Sequence, residues 1–277
     1  MPRSSKTIPN FKLRIIAMCR LLGYLGRPIQ LDRLLCDPDH SLIVQSYQPR
    51  EMTAGLLNAD GFGIGWYHAT QETEPFTYRN TLPIWSDANL PSLSRYVESG
   101  CVLANVRSAT PGLAVDLSNC QPFQHSLILG IHNGFIANFR QTLYRPLRDR
   151  LSDLAYQSIH GLTDSEHIFA VLIDELHGSE TLTEALHRTL NILTEFGQKY
   201  ETAFSANLIV SDGKSLVASR YASGVQVPTL YVLQRHPELP ESVLIASEPL
   251  FEGHWKPLPE HSILTVCHDL NSEVKPL

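Results

Sequence analysis

The sequence predicts an α+β protein built on mostly antiparallel sheets, and three features carry that expectation. Short stretches of strand-like alternation recur along nearly the whole 277 residues, far more than one small barrel needs. Asp212-Gly213, set between the apolar runs 206–210 and 216–218, is a type I′ hairpin signal and predicts an antiparallel pair. Two amphipathic helices stand together in the middle of the chain, grouped in a block instead of alternating with strands.

Strands are expected at residues 20–25, 63–67, 77–79, 102–107, 127–132, 208–211, 215–220, 229–233, 243–246 and 262–266. The first central helix spans 164–177, where Ile168, Phe169, Leu172, Ile173 and Leu176 form a wide apolar stripe, with Thr163 and Glu166 as a capping box. The second spans 182–196, with Leu182, Ala185, Leu186, Leu190, Leu193 and Phe196 facing inward. Thr181 and Glu184 cap its start, and Gly197 is placed to end it. Shorter helices are expected near 33–35, continuing through 41–44, and from 140 into 148. No internal repeat or low-complexity linker interrupts the chain, and Pro237 to Pro240 bounds only a short loop, so residues 19–277 read as one domain.

Composition narrows the function classes. Lys and Arg number 22 against 28 Asp and Glu, a net charge of −6, so there is no basic footprint for nucleic acid or for an anionic membrane. No apolar run reaches the length of a membrane span. The five cysteines (19, 36, 101, 120 and 267) include no C-x-x-C pair, which argues for a reducing, cytoplasmic setting and against a disulfide framework or a structural zinc site. Residues 1–17 hold Arg3, Lys6, Lys12 and Arg14 and no acid, and their apolar piece is too short for a signal-peptide core. Residues 1–18 therefore read as a leader outside the fold or removed from it. An upstream start codon with Met18 as initiator and a self-cleaved propeptide both remain open.

The chemistry centres on Met18-Cys19-Arg20-Leu21-Leu22-Gly23-Tyr24. If Met18 is the initiator or the leader is cut away, Cys19 becomes N-terminal, and its own α-amine can take the thiol proton with no histidine base brought from elsewhere. The commoner fate of a lone cysteine is a small buried apolar residue. Asn58-Ala59-Asp60-Gly61-Phe62-Gly63-Ile64-Gly65-Trp66 fails the dinucleotide spacing and reads as a tight turn with close backbone approach. Arg107, near Thr110 at the end of a buried-looking strand, suits a carboxylate or a structural ion pair equally well. His132-Asn133-Gly134 follows an apolar run, where an amide and a glycine N–H at a strand-end turn can form an oxyanion hole, although Asn-Gly alone says hairpin. Thr163-Asp164-Ser165-Glu166 is a helix cap whose Asp164 can also receive an ammonium group.

Taken in order, Met-Cys-Arg-Leu-Leu-Gly-Tyr, Asn-Ala-Asp-Gly-Phe-Gly-Ile-Gly-Trp, Arg-Ser-Ala-Thr, Asn-Cys-Gln-Pro-Phe, His-Asn-Gly-Phe-Ile, Thr-Asp-Ser-Glu and the late Ala246-Ser247-Glu248-Pro249-Leu250 resemble the class II glutamine amidotransferases of the N-terminal-nucleophile hydrolase fold. Within them the chain is most similar to the single-domain branch that includes the γ-glutamyl hydrolase of ergothioneine biosynthesis. The resemblance implies a four-layer αββα sandwich and no cofactor or metal. It matches Cys19 to the nucleophile, Asn133 and Gly134 to the oxyanion donors, Arg107 and Thr110 to the substrate α-carboxylate, and Asp164 to its α-ammonium. Two positions depart from the pattern: Gln121, where relatives often carry histidine, and Pro111, where synthase-linked members do. Both bear on the leaving group.

The activity so implied is hydrolysis of a γ-glutamyl amide in a small-molecule substrate through a thioester on Cys19. Two alternatives are a glutaminase subunit serving a separate synthase, and a non-catalytic γ-glutamyl-binding protein if the leader is retained. A homo-oligomer is also open; nucleic acid and membrane partners are not expected.

Overall fold

The computed structural model describes residues 18–51, 57–68, 70–71, 73–109 and 114–277. Residues 1–17 of the expected 1–18 leader, and the predicted site residue Thr110 with its neighbour Pro111, lie outside the described residues. Met18 is described and is buried.

Two large sheets carry the fold. The first contains β1 (Arg20–Gln30), β2 (Phe62–Trp66), β3 (Phe76–Asn80), β4 (Glu98–Val106), β10 (Tyr231–His236), β11 (Leu239–Ala246) and β12 (Lys256–Pro257), in the order β12-β10-β11-β1-β4-β2-β3. The second runs β14-β13-β8-β7-β6-β5, from β14 (Ser272–Pro276) through β13 (Ser262–Val266), β8 (Leu216–Arg220), β7 (Phe204–Ser211) and β6 (Ile128–Ile136) to β5 (Phe123–His125). Short β9 (Ala222–Ser223) adds to β7. Every pairing is antiparallel. The strand-rich, hairpin-linked pattern of the sequence predicts this.

Side-chain alternation along the strands sorts the apolar residues into three stacked layers, because successive residues of a strand face opposite ways. On β1, Leu21 and Leu25 face one way and Leu22 and Tyr24 the other. The first pair joins Leu103, Leu129, Ile131, Ile209, Ile245 and Leu264 between the sheets. The second packs with Phe62, Val102, Ala104 and Leu244 under α1 (Asp32–Leu35), α2 (Leu42–Tyr47) and α3 (Leu90–Tyr96). On the far side, Ile136, Leu208, Val210 and Ile263 meet Ile168, Leu172, Leu186 and Leu190 of the longer helices. Helix, sheet, sheet, helix is therefore the order of layers, the αββα sandwich expected. Each fully buried leucine of these layers contributes about 2 kcal/mol to folding.

The outer helices on the second sheet are α4 (Tyr144–Arg150), α5 (Asp153–Gln157), α6 (Asp164–Leu176) and α7 (Leu182–Lys199). Both capping boxes form in one half only. The Thr163 and Thr181 hydroxyls accept from the N–H of Glu166 and Glu184. The glutamates reach further back: Glu166 accepts from His160 and Gly161, and Glu184 from Glu180.

Three local expectations are corrected. Gly197 does not end α7. It lies inside the helix, packed near Thr202 and Phe204, and the helix closes at a Tyr200 cap. The β7–β8 hairpin has a four-residue connection, 212–215, in place of a two-residue turn, because Asp212 Oδ1 accepts from the N–H of both Lys214 and Ser215 and curls the loop around itself. Asn133-Gly134 is neither a hairpin nor a strand end: both residues sit within β6, opposite Asn207 and Ala206 of β7.

Candidate active site

The alternation that fills the layer between the sheets also builds the site. Moving along that layer toward one end of the sandwich, the inward position changes from Leu21 to Cys19 at the start of β1, from Leu103 to Asn105 on β4 and from Ile131 to Asn133 on β6. It changes likewise from Ile209 to Asn207 on β7 and from Ile245 to Ser247 after β11. Asn105 lies opposite Leu21, one inward position short of Cys19, and Asn133 lies opposite Asn207. A polar end thus caps an apolar layer. Ser247 fixes β1 within it, its hydroxyl accepting from the Leu21 N–H at 2.9 Å and its own N–H donating to the Leu21 carbonyl.

Cys19 is half-buried, and burial raises its thiol above the ordinary range. The Ser108 main-chain N–H and the charges of Arg107 and Arg20 pull against that rise, while Asp164 adds to it. The predicted nucleophile, carboxylate binder and ammonium acceptor therefore share one electrostatic neighbourhood. Arg107 follows β4 and is almost fully buried. The Asn58-to-Gly61 turn holds it. Arg107 Nη1 and main-chain N–H donate to the carbonyls of Asp60 and Gly61, its carbonyl accepts from the Asp60 N–H, and Asp60 Oδ2 accepts from the Ala109 N–H. Gly61 has φ of +112°, where a side chain is strained. The glycine-rich stretch is the tight backbone turn its sequence suggests, and its role is to clamp Arg107.

Asp164 is the first residue of α6. Its Oδ1 accepts from the Ser165 N–H at 2.8 Å and its Oδ2 from the Ile136 N–H at 2.7 Å, which ties the helix start to β6. Ser165 contacts His132 Nδ1 at 2.8 Å, and His132 Nε2 lies 3.1 Å from the Ser205 carbonyl. A carbonyl only accepts, so Nε2 carries the proton and Nδ1 takes the serine hydroxyl. Burial lowers the His132 pKa against the opposing pull of Asp164, and the ring is a neutral strut.

Gly134 belongs to the same strand edge. Ala206 turns its N–H to the Tyr221 carbonyl and its own carbonyl to the Ser219 hydroxyl. The Gly134–Ala206 pair is therefore one of the pairs that exchange no ladder hydrogen bonds, and the Gly134 N–H points away from β7. On that side the neighbouring amides at two-residue spacing are already taken: His132 N–H donates to Gln121 Oε1 and Ile136 N–H to Asp164 Oδ2. The Gly134 N–H stands between them. A Cβ on Gly134 would sit 2.0 Å from the Ser205 carbonyl oxygen, which accounts for a glycine here.

Asn133 is 1% exposed, and neither its Nδ2 nor its Oδ1 has a hydrogen-bond partner. Its cross-strand neighbour Asn207 differs, donating to the carbonyls of Pro228 and Thr229. Most buried polar groups are paired, whereas this side-chain amide is orphaned at both ends.

The structure thus brings Cys19, Arg107, Asn133, Gly134 and Asp164 to one end of the sandwich. Sequence reasoning gave no role to Asn105, Asn207, His132 or the Arg20–Glu248 pair. Arg20 and Glu248 were visible only as charges bordering wholly apolar strands.

Known proteins resemble this chain along most of its length. A probable glutamine amidotransferase of Saccharomyces cerevisiae is 32% identical, covering 90% of this chain and 82% of its own. The gamma-glutamyl-hercynylcysteine sulfoxide hydrolase of Mycolicibacterium smegmatis is also 32% identical, covering 94% of this chain and all of its own. Among solved structures, a class-II glutamine aminotransferase domain protein from Silicibacter pomeroyi shares the fold with a TM-score of 0.68 at 24% identity, over 94% of this chain and 99% of that one. The family model for glutamine amidotransferases class-II matches residues 18–250, from the residue before Cys19 to just past Glu248, and the chain belongs to that family.

Proposed function

We propose that this protein hydrolyses the γ-glutamyl amide bond of a small-molecule conjugate, with Cys19 as an N-terminal nucleophile. The observation that carries the reading is the orphaned Asn133 amide, buried beside the Gly134 N–H that the β6–β7 ladder leaves unused. Two such donors suit an oxygen that gains charge as the reaction proceeds.

In this chain Cys19 follows Met18, and its nitrogen is a peptide nitrogen. Cleavage of that bond frees the α-amine. The amine takes the thiol proton, the sulfur attacks the γ-carbonyl carbon, and the oxyanion rests on Asn133 Nδ2 and the Gly134 N–H. The amine then returns the proton to the leaving nitrogen, the C–N bond breaks, and a γ-glutamyl thioester remains. Water, deprotonated by the same amine, adds to the thioester and releases glutamate and the thiol. Arg107, together with Thr110, holds the α-carboxylate. Asp164, whose Oδ2 keeps a lone-pair direction beyond its hydrogen bond from the Ile136 N–H, receives the α-ammonium.

The relatives named as hydrolases of a γ-glutamyl-hercynylcysteine sulfoxide make that conjugate the first substrate to assay, with glutamine and other γ-glutamyl amides beside it. The test is intact-mass and N-terminal analysis of the protein, followed by acid quench during turnover. A chain starting at Cys19 that gains the mass of a γ-glutamyl acyl group is the expected result. A protein starting at Cys19 that neither acylates nor releases glutamate from any γ-glutamyl amide overturns the reading.

A further inference from the structure

Next to the nucleophile lies a buried charged cluster to which the reaction above gives no part. Arg20 is 1% exposed and Glu248 is fully buried. Arg20 Nε lies 2.8 Å from Glu248 Oε1, and Arg20 Nη1 donates to the Cys19 carbonyl at 2.8 Å. Glu248 Oε2 is 2.7 Å from His40 Nε2, and the N–H groups of Arg50 and Glu51 donate to its two oxygens at 2.8 and 3.0 Å. Three hydrogen bonds and the Arg20 ion pair thus surround the carboxylate. Behind it, Gln45 Nε2 donates to the His40 carbonyl, and Tyr231 donates to Glu51.

Stability does not account for such a cluster, because a buried ion pair does little better than apolar residues of the same size. Its one outward contact is to the main chain of Cys19, the atom frame on which an N-terminal nucleophile depends.

We propose that Glu248, backed by His40, makes Arg20 a fixed clamp on the Cys19 main chain and sets the charge in which the Cys19 thiol ionises. Arg20 and Glu248 are positioning residues for the reaction proposed above, and the inference rests on that reading. The other charged or titratable groups at this end are Arg107 after β4, Asp164 on α6, Asp60 in the turn that clamps Arg107, His132 on β6, Cys120 in the segment before β5 and Glu51 beside Arg20. Removing the Glu248 charge leaves Arg20 uncompensated, which favours the thiolate.

The test uses the full protein processed to begin at Cys19. Alkylation of Cys19 by iodoacetamide is followed by peptide mass from about pH 5 to about pH 10, a range that brackets the thiol. In Glu248→Gln the midpoint is expected to fall by about 1 pH unit, about tenfold in thiolate fraction below both midpoints. Arg20→Lys keeps the charge and loses the fork. Its midpoint is expected to stay while kcat falls about tenfold at unchanged KM, the signature of misplaced reacting atoms. A folded Glu248→Gln protein with the parental midpoint overturns the charge role. If that variant does not fold, Arg20→Lys decides, and parental kcat and alkylation rate overturn the clamp. Failure of both variants to fold also overturns the proposal, since the cluster then serves the fold alone. Alkylation needs no γ-glutamyl substrate, so an inactive parent counts against the proposed hydrolysis without deciding this test.

Discussion

Asn133→Ala separates function from stability more cleanly than any other change at this site. The parental amide makes no hydrogen bond and is 1% exposed, so removing it breaks none and relieves the burial of an unpaired polar group, worth about 1–3 kcal/mol. Against that stands the packing lost when the side chain is cut back, a term of about 1–2 kcal/mol. The two nearly cancel. The melting temperature is expected to stay within about 3 °C of the parent, since about 1 kcal/mol moves a chain of this size by 2–4 °C. Activity behaves otherwise: losing one oxyanion donor costs about 10² to 10³ in kcat. The control is Asn207→Ala, directly opposite on β7. It strips the carbonyls of Pro228 and Thr229 of their donor and is expected to cost about 2 kcal/mol of stability. The assay is denaturant or thermal unfolding of both variants together with kcat on the γ-glutamyl substrate. An Asn133→Ala protein that melts as far below the parent as Asn207→Ala, while keeping its kcat, would refute the reasoning.

Three further outcomes follow from the geometry. Gly134→Ala places a methyl group 2.0 Å from the Ser205 carbonyl and 2.5 Å from His132 Nε2, so unfolding measurements should show a loss of about 2–4 kcal/mol as the β6–β7 pairing shifts. Asp164→Asn puts an amide where the Ile136 N–H donates and removes the charge offered to an ammonium. Its kcat/KM for a γ-glutamyl amide should fall about a hundredfold toward that of the matching glutaryl amide, which lacks the α-amino group; retained discrimination between the two would count against the assignment. Burial alone would raise the Glu248 carboxyl, but the hydrogen bonds of His40 and Arg50 and the charge of Arg20 bring it down to about 2. A carboxylate depressed in this way adds stability that is complete above about pH 4.5 and is lost as pH falls toward 2, about 3 kcal/mol in all. The stability difference between the parent and Glu248→Gln, measured by urea unfolding, should therefore shrink steadily across that window.

Much of the sandwich was legible because alternation survives wherever a strand buries one or both faces. The runs at 208–211 and 243–246 became β7 and β11 with only their starts extended, and the run at 102–107 became β4, which begins earlier and stops at Val106. β14 was not legible: Ser272–Pro276 is exposed throughout and carries no apolar alternation, being held by pairing with β13 and by the Gln234 side chain on Ser272. Asn133-Gly134 misled on placement because a dipeptide typical of turns is carried through by its partners, opposite Asn207 and Ala206 in an unbroken eight-pair register. The resemblance supplied the residues of the site. It did not reveal that the Asn133 amide is unpartnered, since that depends on which neighbours decline to bond it. Nor did local pattern indicate that Arg20 and Glu248, near opposite ends of the chain, meet in the interior.

Cys19, the proposed nucleophile, stands at the head of β1, a strand hydrogen-bonded on one side to β11 and on the other to β4 and pinned at its start by Ser247. Arg107, by contrast, follows the last residue of β4. The molecule is in this sense modular. The Cys19 sulfur sits at the start of a strand with a neighbour on both sides, while Arg107 stands just past the end of one. Under the proposed reaction, changing the residues that follow Arg107 is the way to redirect the enzyme to a different departing amine, with Cys19, Asn133 and Gly134 left in place.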